Sequence, residues 1–178
     1  MRRRNLFVAT VAFVLAITSI AAGTSGSAAD EVSQESHDPL VVRAVGVETF
    51  EANALISSTF RFTPERIYPH MGDRVTFVDD DETEDPHTIT IVRQGQLPTD
   101  FASTFNCAPC NRALDAHFGG GVADLRVNVG EPGLDRAGDS LLLLPGASIF
   151  STVTVPEPRN LSYLCAIHPW MQGRLVVG

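Results

Sequence analysis

Leu161-Ser162-Tyr163-Leu164-Cys165-Ala166-Ile167-His168-Pro169-Trp170-Met171-Gln172-Gly173-Arg174-Leu175-Val176-Val177 carries two strand patterns around a chemically unusual loop. Leu161, Tyr163 and Cys165 recur at every second position, the period of a strand with one buried face. Arg174 to Val177 is a second short run of the same kind, so the stretch reads as strand, loop, strand. The loop between them places a thiol, an imidazole and a thioether (Cys165, His168, Met171) close together. All three are metal donors.

The same period extends upstream. Phe60 and Phe62 flank Arg61 ahead of Thr63-Pro64. Val75 and Phe77 alternate with Arg74, Thr76 and Val78 after the turn-like Gly72-Asp73. His87, Ile89 and Ile91 share one face, with Thr88 and Thr90 on the other. Ala123, Leu125, Val127 and Val129 alternate with Asp124, Arg126 and Asn128, and Ile149, Val153 and Val155 with polar neighbours. Turn residues separate the runs at Glu131-Pro132-Gly133, Gly138-Asp139, Pro145-Gly146 and from Pro156 to Asn160. Many short strands with such punctuation predict an all-β sandwich or barrel. No internal repeat is present.

His87 stands on the inward face of its predicted strand, far upstream of Cys165. A thiolate and two imidazoles in a plane, with a weak, long thioether on the axis, form the ligand set of a blue-copper electron-transfer site. Soft sulfur suits Cu(I), imidazole suits both oxidation states, and one geometry acceptable to both limits rearrangement when an electron moves. Zinc more usually collects four strong ligands, and Met is a poor one. A bland reading, with His87 and Cys165 as ordinary core residues, requires His168 and Met171 to be coincidences.

These residues give the chain a resemblance to the cupredoxin family, in particular its plastocyanin and amicyanin group. Cys165-x-x-His168-Pro169-x-Met171-x-Gly173 is similar to the short amicyanin-type ligand loop, with Tyr163 two positions before the Cys. Asp85-Pro86-His87-Thr88-Ile89 resembles the first-ligand strand, and the Phe60-to-Phe77 region is also similar. The likeness covers about residues 60–92 and 141–178. It implies a cupredoxin-like Greek-key β-sandwich over 40–178, with His87, Cys165, His168 and Met171 holding one type-1 copper ion. The sequence departs from that pattern twice. Thr88 stands where plastocyanins usually carry Asn, which leaves the tie between the ligand segments open, with a hydroxyl able to take over its hydrogen bond. His87 and Cys165 are also 78 positions apart, much farther than in the small carriers.

That extra length, about residues 94–122, reads as a long, partly helical loop insertion. Asn111 to Phe118 predicts one short helix with Cys110, Leu114 and Phe118 on one face, stopped by Gly119 and the glycines after it. The insertion is open to several roles: covering the site, changing the partner surface, or adding a ligand. Cys107 and Cys110 are close enough to form their own disulfide ring. A redox-active pair and a second metal site with His117 are the weaker readings. Asn111 follows Cys110 where covalent haem attachment needs His, which excludes that motif. Cys165 is then the odd thiol, and its neighbours favour metal. His37 and His70 are expected to be exposed.

Residues 1–29 read as an export signal. Arg2, Arg3 and Arg4 precede an apolar run from Leu6 to about Ala22, then a small-residue stretch ending in Ala29. Removal is favoured over an uncleaved anchor, because no second basic cluster follows to stop transfer, and membrane attachment is expected only if the segment stays. Arg3-Arg4-Asn5-Leu6-Phe7 also resembles a twin-arginine signal, leaving the export route open. Asp30 to Pro39 reads as a flexible leader. The 178 residues carry a net charge of −8, and all 13 basic residues are Arg. That balance excludes a nucleic-acid binder, which needs a basic face.

The expected protein is therefore exported, to the periplasm, cell envelope or outside. It carries single electrons between redox partner proteins and makes or breaks no substrate bond. A copper-holding or delivery module on the same scaffold is the alternative. An oxidase is disfavoured, since none of the 5 His forms a His-x-His pair. An open copper site built with His117 stands as a third reading. Docking is expected at His168 and Trp170, with Pro169 and Trp170 as an apolar rim or as plain core. The acidic run Asp79-Asp80-Asp81-Glu82-Thr83-Glu84-Asp85 is either a solvated loop or a steering patch for a cationic partner.

Overall fold

A computed structural model describes residues 40–121, 124–130, 133–156 and 158–178. The export signal and leader (1–29 and 30–39) lie outside the described residues. In chain order the strands are β1 (Leu40–Val45), β2 (Glu48–Glu51), β3 (Leu55–Ser58), β4 (Arg61–Thr63), β5 (Arg66–Ile67), β6 (Arg74–Asp79) and β7 (His87–Val92). Two helices follow, α1 (Phe101–Phe105) and α2 (Ala108–Phe118). Then come β8 (Asn128–Val129), β9 (Ser140–Leu143), β10 (Ser148–Thr152), β11 (Arg159–Leu164) and β12 (Gln172–Val177).

Ten of these strands form two sheets, in the orders β10-β6-β1-β4 and β5-β12-β11-β7-β9-β8, while β2 and β3 pair only with each other. Spatial neighbours are often distant in sequence: β1 runs parallel to β6, and β11 lies beside β7. That crossing between layers is the Greek-key sandwich pattern. The core is where the two inner faces meet. Val42, Ala44, Phe62, Val75 and Phe77 face Ile89, Ile91, Leu141, Leu143, Leu161, Tyr163 and Leu175. The alternation read for β4, β6, β7, β11 and β12 therefore selects the buried face as expected. β1, the β2–β3 hairpin and β9 carry weaker or unbroken patterns and fall outside the alternating runs.

Two expectations need correction. Residues 124–129 alternate like a strand, yet only Asn128–Val129 pairs. The chain there is tied instead to the end of α2, Arg126 N–H donating to the His117 carbonyl, and Val127 stays exposed. The inserted helix is longer than expected and turned. It starts at Ala108 with Pro109 in its first turn, where a missing N–H costs nothing. Its buried face is Cys110, Ala113 and His117, with Leu114 and Phe118 only half-buried. The small Ala113 brings the helix close to the sheet. α1 lies outside the helix expected from the sequence.

The helix changes the status of β7. Val92, Cys107, Cys110, Ala113, Leu164 and Ala166 form a second apolar cluster on the outer side of the sheet. All six residues of β7 are consequently buried, Thr88 and Thr90 included. Cys107 and Cys110 form a disulfide, as expected. Among the described residues no helix is long and apolar enough to cross a membrane.

The β11–β12 hairpin has one tight contact. Gly173 pairs with Tyr163, and a Cβ at Gly173 would lie 2.2 Å from the buried Tyr163 ring. We expect Gly173→Ala to lower unfolding stability by about 1–3 kcal/mol, as for other overpacked sites. Denaturant unfolding of the variant measures this, and an unchanged midpoint would contradict the contact.

Candidate metal centre

His87 opens β7, a central strand bonded to β11 on one side and β9 on the other, so its backbone has little freedom. Cys165 follows the last residue of β11. From there the chain turns tightly: Met171 N–H donates to the His168 carbonyl at 2.8 Å, and Cys165 N–H to the Met171 carbonyl at 3.0 Å. Those bonds fold residues 165–171 into a closed loop and turn His168 back toward His87.

The three donor atoms converge. Cys165 Sγ lies 3.8 Å from Nδ1 of His87 and 3.8 Å from Nδ1 of His168, and the two nitrogens are 3.2 Å apart. A triangle with those sides has its centre about 2.1 Å from each corner, within the metal–nitrogen and metal–sulfur bond range of about 2.0–2.3 Å. The set fits a trigonal metal ion. His87 and Cys165 are fully buried, and His168 is 7% exposed. Met171 is buried in the same core as Cys165, its backbone closing the loop.

The thiolate is well supplied with donors. Thr88 N–H reaches Sγ at 3.3 Å and His168 N–H at 3.4 Å. Thr88 supplies the expected hydroxyl tie as well, since its Oγ1 accepts from Ala166 N–H at 2.7 Å. Phe60 packs its ring against both imidazoles, 5.3 Å from His87 and 4.7 Å from His168.

Behind His87 is a group the sequence reading placed elsewhere. Nε2 of His87 lies 2.5 Å from Oδ2 of Asp81, whose side chain is fully buried, and 3.8 Å from Asp79 Oδ1. A carboxylate on the far nitrogen keeps that nitrogen protonated and leaves Nδ1 free to ligate. Burial alone would raise the Asp81 pKa, but His87 and the Thr83 N–H overcome it and hold the carboxyl below its usual value. Asp79 goes the other way, raised mainly by burial. The acidic run is thus not one solvated face. Asp80, Glu82 and Glu84 are exposed, while Asp79 and Asp81 turn inward. Nothing in residue type marks which carboxylates turn; the strand end and the Thr83–Asp81 turn bonds decide it.

Among the described residues the insertion adds no ligand. Nδ1 of His117 is 2.5 Å from the Arg126 carbonyl oxygen and its Nε2 is 2.8 Å from Ser140 Oγ, and both Cys107 and Cys110 sulfurs are spent in the disulfide. This overturns the second metal site and the open copper site built with His117. His70 is exposed as expected; His37 lies outside the described residues. Trp170 is exposed at 45%, with its ring 5.3 Å from that of His168, so it is rim and not core, whereas Pro169 is buried. Glu48 and Asp85 each bring a carboxylate oxygen within 4.8 Å of a His168 ring nitrogen.

No family model matches the sequence, and no curated protein sequence matches it. Solved structures with a similar strand arrangement do exist. A purple cupredoxin from Nitrosopumilus maritimus is 16% identical, covering 79% of this chain and 100% of its own, with a TM-score of 0.44. A dithionite-reduced auracyanin from Roseiflexus castenholzii is 22% identical over 66% of this chain and 87% of its own, with a TM-score of 0.41. A reduced Cu(I) form of an amicyanin variant is 17% identical over 81% and 87%, with a TM-score of 0.42. At such scores the likeness does not assign the site, which rests on the chain's own donor atoms.

Two expected outcomes follow from the electrostatics. Burial opposes the Cys165 thiolate, but His168 and His87 outweigh it and bring its pKa down to about 6. Burial likewise opposes charge on His87, but Cys165 and Asp81 raise its pKa to about 9. Between those values a thiolate faces an imidazolium, and the Nδ1 proton must leave before that nitrogen ligates. Apparent metal affinity should therefore rise about tenfold per pH unit from pH 6 to 9 and level off above; competition titrations across that range measure it, and a flat profile would contradict the pairing. Asp81→Asn should weaken metal binding about 10–100-fold, read in the same titrations at pH 7.

Proposed function

We propose that the chain is an exported cupredoxin whose single type-1 copper ion carries one electron at a time between partner proteins. The observation that carries this reading is the buried triangle of two imidazole Nδ1 atoms and the Cys165 sulfur. Met171, the thioether of the same loop and buried in the same core as Cys165, would be the fourth and weakest residue to hold the ion.

When bound, copper supplies a one-electron couple between Cu(I) and Cu(II). The protein's own residues supply rigidity and shelter. Phe60 wedges the two rings, Asp81 fixes the His87 tautomer, and the Thr88 and His168 N–H groups hold the sulfur where it is. A site so held changes little between oxidation states, which lowers the reorganisation an electron must wait for. His87 and Cys165 are fully buried, so a substrate has no direct approach to them, in keeping with a carrier and not an enzyme.

Electrons are proposed to pass through the His168 edge, where Trp170 is exposed beside it, to a redox partner docking there. Asp80, Glu82 and Glu84 supply negative charge on the segment leading to His87 and suit a cationic partner. Export rests on the Arg2–Arg4 and Leu6–Ala22 pattern and places the protein in the periplasm, cell envelope or outside.

Titration of the chain with Cu(II) should give an intense visible thiolate-to-copper band and an unusually small copper hyperfine splitting. Both should vanish in Cys165→Ser. A pale, ordinary Cu(II) spectrum, or no binding, would overturn the carrier reading.

A further inference from the structure

Behind the metal centre, on the side covered by the insertion, four buried polar side chains form an unbroken line. His117 Nε2 lies 2.8 Å from Ser140 Oγ, Ser140 Oγ 2.8 Å from Thr90 Oγ1, and Thr90 Oγ1 2.9 Å from Thr88 Oγ1. Thr88 Oγ1 in turn accepts from Ala166 N–H at 2.7 Å. His117, Ser140 and Thr88 are fully buried and Thr90 is 1% exposed, so water does not complete these bonds.

The two ends fix the direction of the line. Ala166 N–H can only donate, and the Arg126 carbonyl at Nδ1 of His117 can only accept. Burial pushes His117 below its ordinary pKa, so the ring carries one proton. With one proton per group, a single arrangement lets every group donate once. Ala166 N–H donates to Thr88, Thr88 to Thr90, Thr90 to Ser140, Ser140 to Nε2 of His117, and His117 Nδ1–H to the Arg126 carbonyl. Hydrogen bonds aligned in this way polarise one another. The first acceptor, Thr88 Oγ1, takes the amide that follows Cys165, and the Thr88 N–H donates to the Cys165 sulfur itself.

We propose that His117, carried on the inserted helix, is a positioning residue for the metal centre. Acting through Ser140, Thr90 and Thr88, it holds the Cys165–Met171 loop against β7 and so sets the balance between Cu(I) and Cu(II). The part of this that concerns copper rests on the function proposed above. The insertion then has a definite task. It covers the outer face of β7 and places an acceptor at the end of a line that would otherwise have no defined direction.

Thr90→Val tests this, since it is nearly isosteric, removes the middle hydroxyl and leaves every proposed ligand in place. It is compared in the full chain with His117→Leu, and with Thr90→Ser and His117→Gln, which keep a hydroxyl and an acceptor. Two readouts are used: amide hydrogen exchange at Ala166 in the metal-free protein, and the Cu(I)/Cu(II) ratio of the loaded protein against a fixed redox couple. Thr90→Val and His117→Leu should speed Ala166 exchange roughly tenfold and shift the copper ratio roughly threefold or more. Thr90→Ser and His117→Gln should return both toward native values. Native behaviour of either readout in Thr90→Val overturns the proposal, as does a His117→Leu protein that differs only in unfolding stability. If the native protein shows no blue spectrum, the proposed function falls, and the Ala166 amide alone then decides whether the line positions the ligand loop.

Discussion

Cys165 places a sulfur atom at zero exposure between two sheets, and its pKa of about 6 makes it a thiolate at neutral pH. An unpaired charge in that position would cost several kcal/mol, so the surroundings have to answer it from every direction. They do so with the Thr88 and His168 N–H groups and with the His87 and His168 rings. Two of these groups come from the central strand β7 and two from the tight turn of residues 165–171, and Phe60 packs against both rings. Loss of any one leaves part of the charge unanswered. The same convergence that stabilises the thiolate also produces a metal-sized triangle, so folding and metal binding make the same demand on these residues.

The two carboxylates beside His87 extend this logic outward. Asp81 compensates the far nitrogen of the ring, while Asp79, with Oδ1 lacking a hydrogen bond, takes a Gly146 N–H at its other oxygen. Charge is therefore balanced along a short axis from Asp81 through His87 to Cys165. Such an arrangement discourages solvent and holds ring orientation by electrostatics as well as by packing.

The insertion is integrated into this architecture and not merely appended. α2 converts the outer face of β7 into a second core, and in doing so buries Thr88, Thr90 and Ser140, hydroxyls that elsewhere on a sheet surface would face water. Buried hydroxyls need partners. Here they find one another and His117, which bonds the covering helix to Ser140 of β9 and, through Ser140, to Thr90 on the strand bearing His87. α1 has a different character: Phe101 and Phe105 stay exposed and meet edge to face.

Much of this was legible in residue order. Period-two spacing selected the inward faces of β4, β6, β7, β11 and β12, because a strand buried on one side cannot hide its alternation. The donors His87, Cys165 and His168 were readable because metal chemistry narrows the choice of side chain. Cys107 and Cys110 were readable because three residues of separation leave little room for another partner. The full burial of β7, the inward turn of Asp79 and Asp81, and the register of α2 were not. Each depends on which surface another segment covers, and covering is a property of the folded chain: Thr88 and Thr90 look like a solvent face until α2 lies on them. His117 illustrates the difference most clearly. By itself it is one histidine on a short helix, available in principle to a metal; only the tertiary structure, by giving one of its nitrogens to Arg126 and the other to Ser140, decides that it cannot be a ligand.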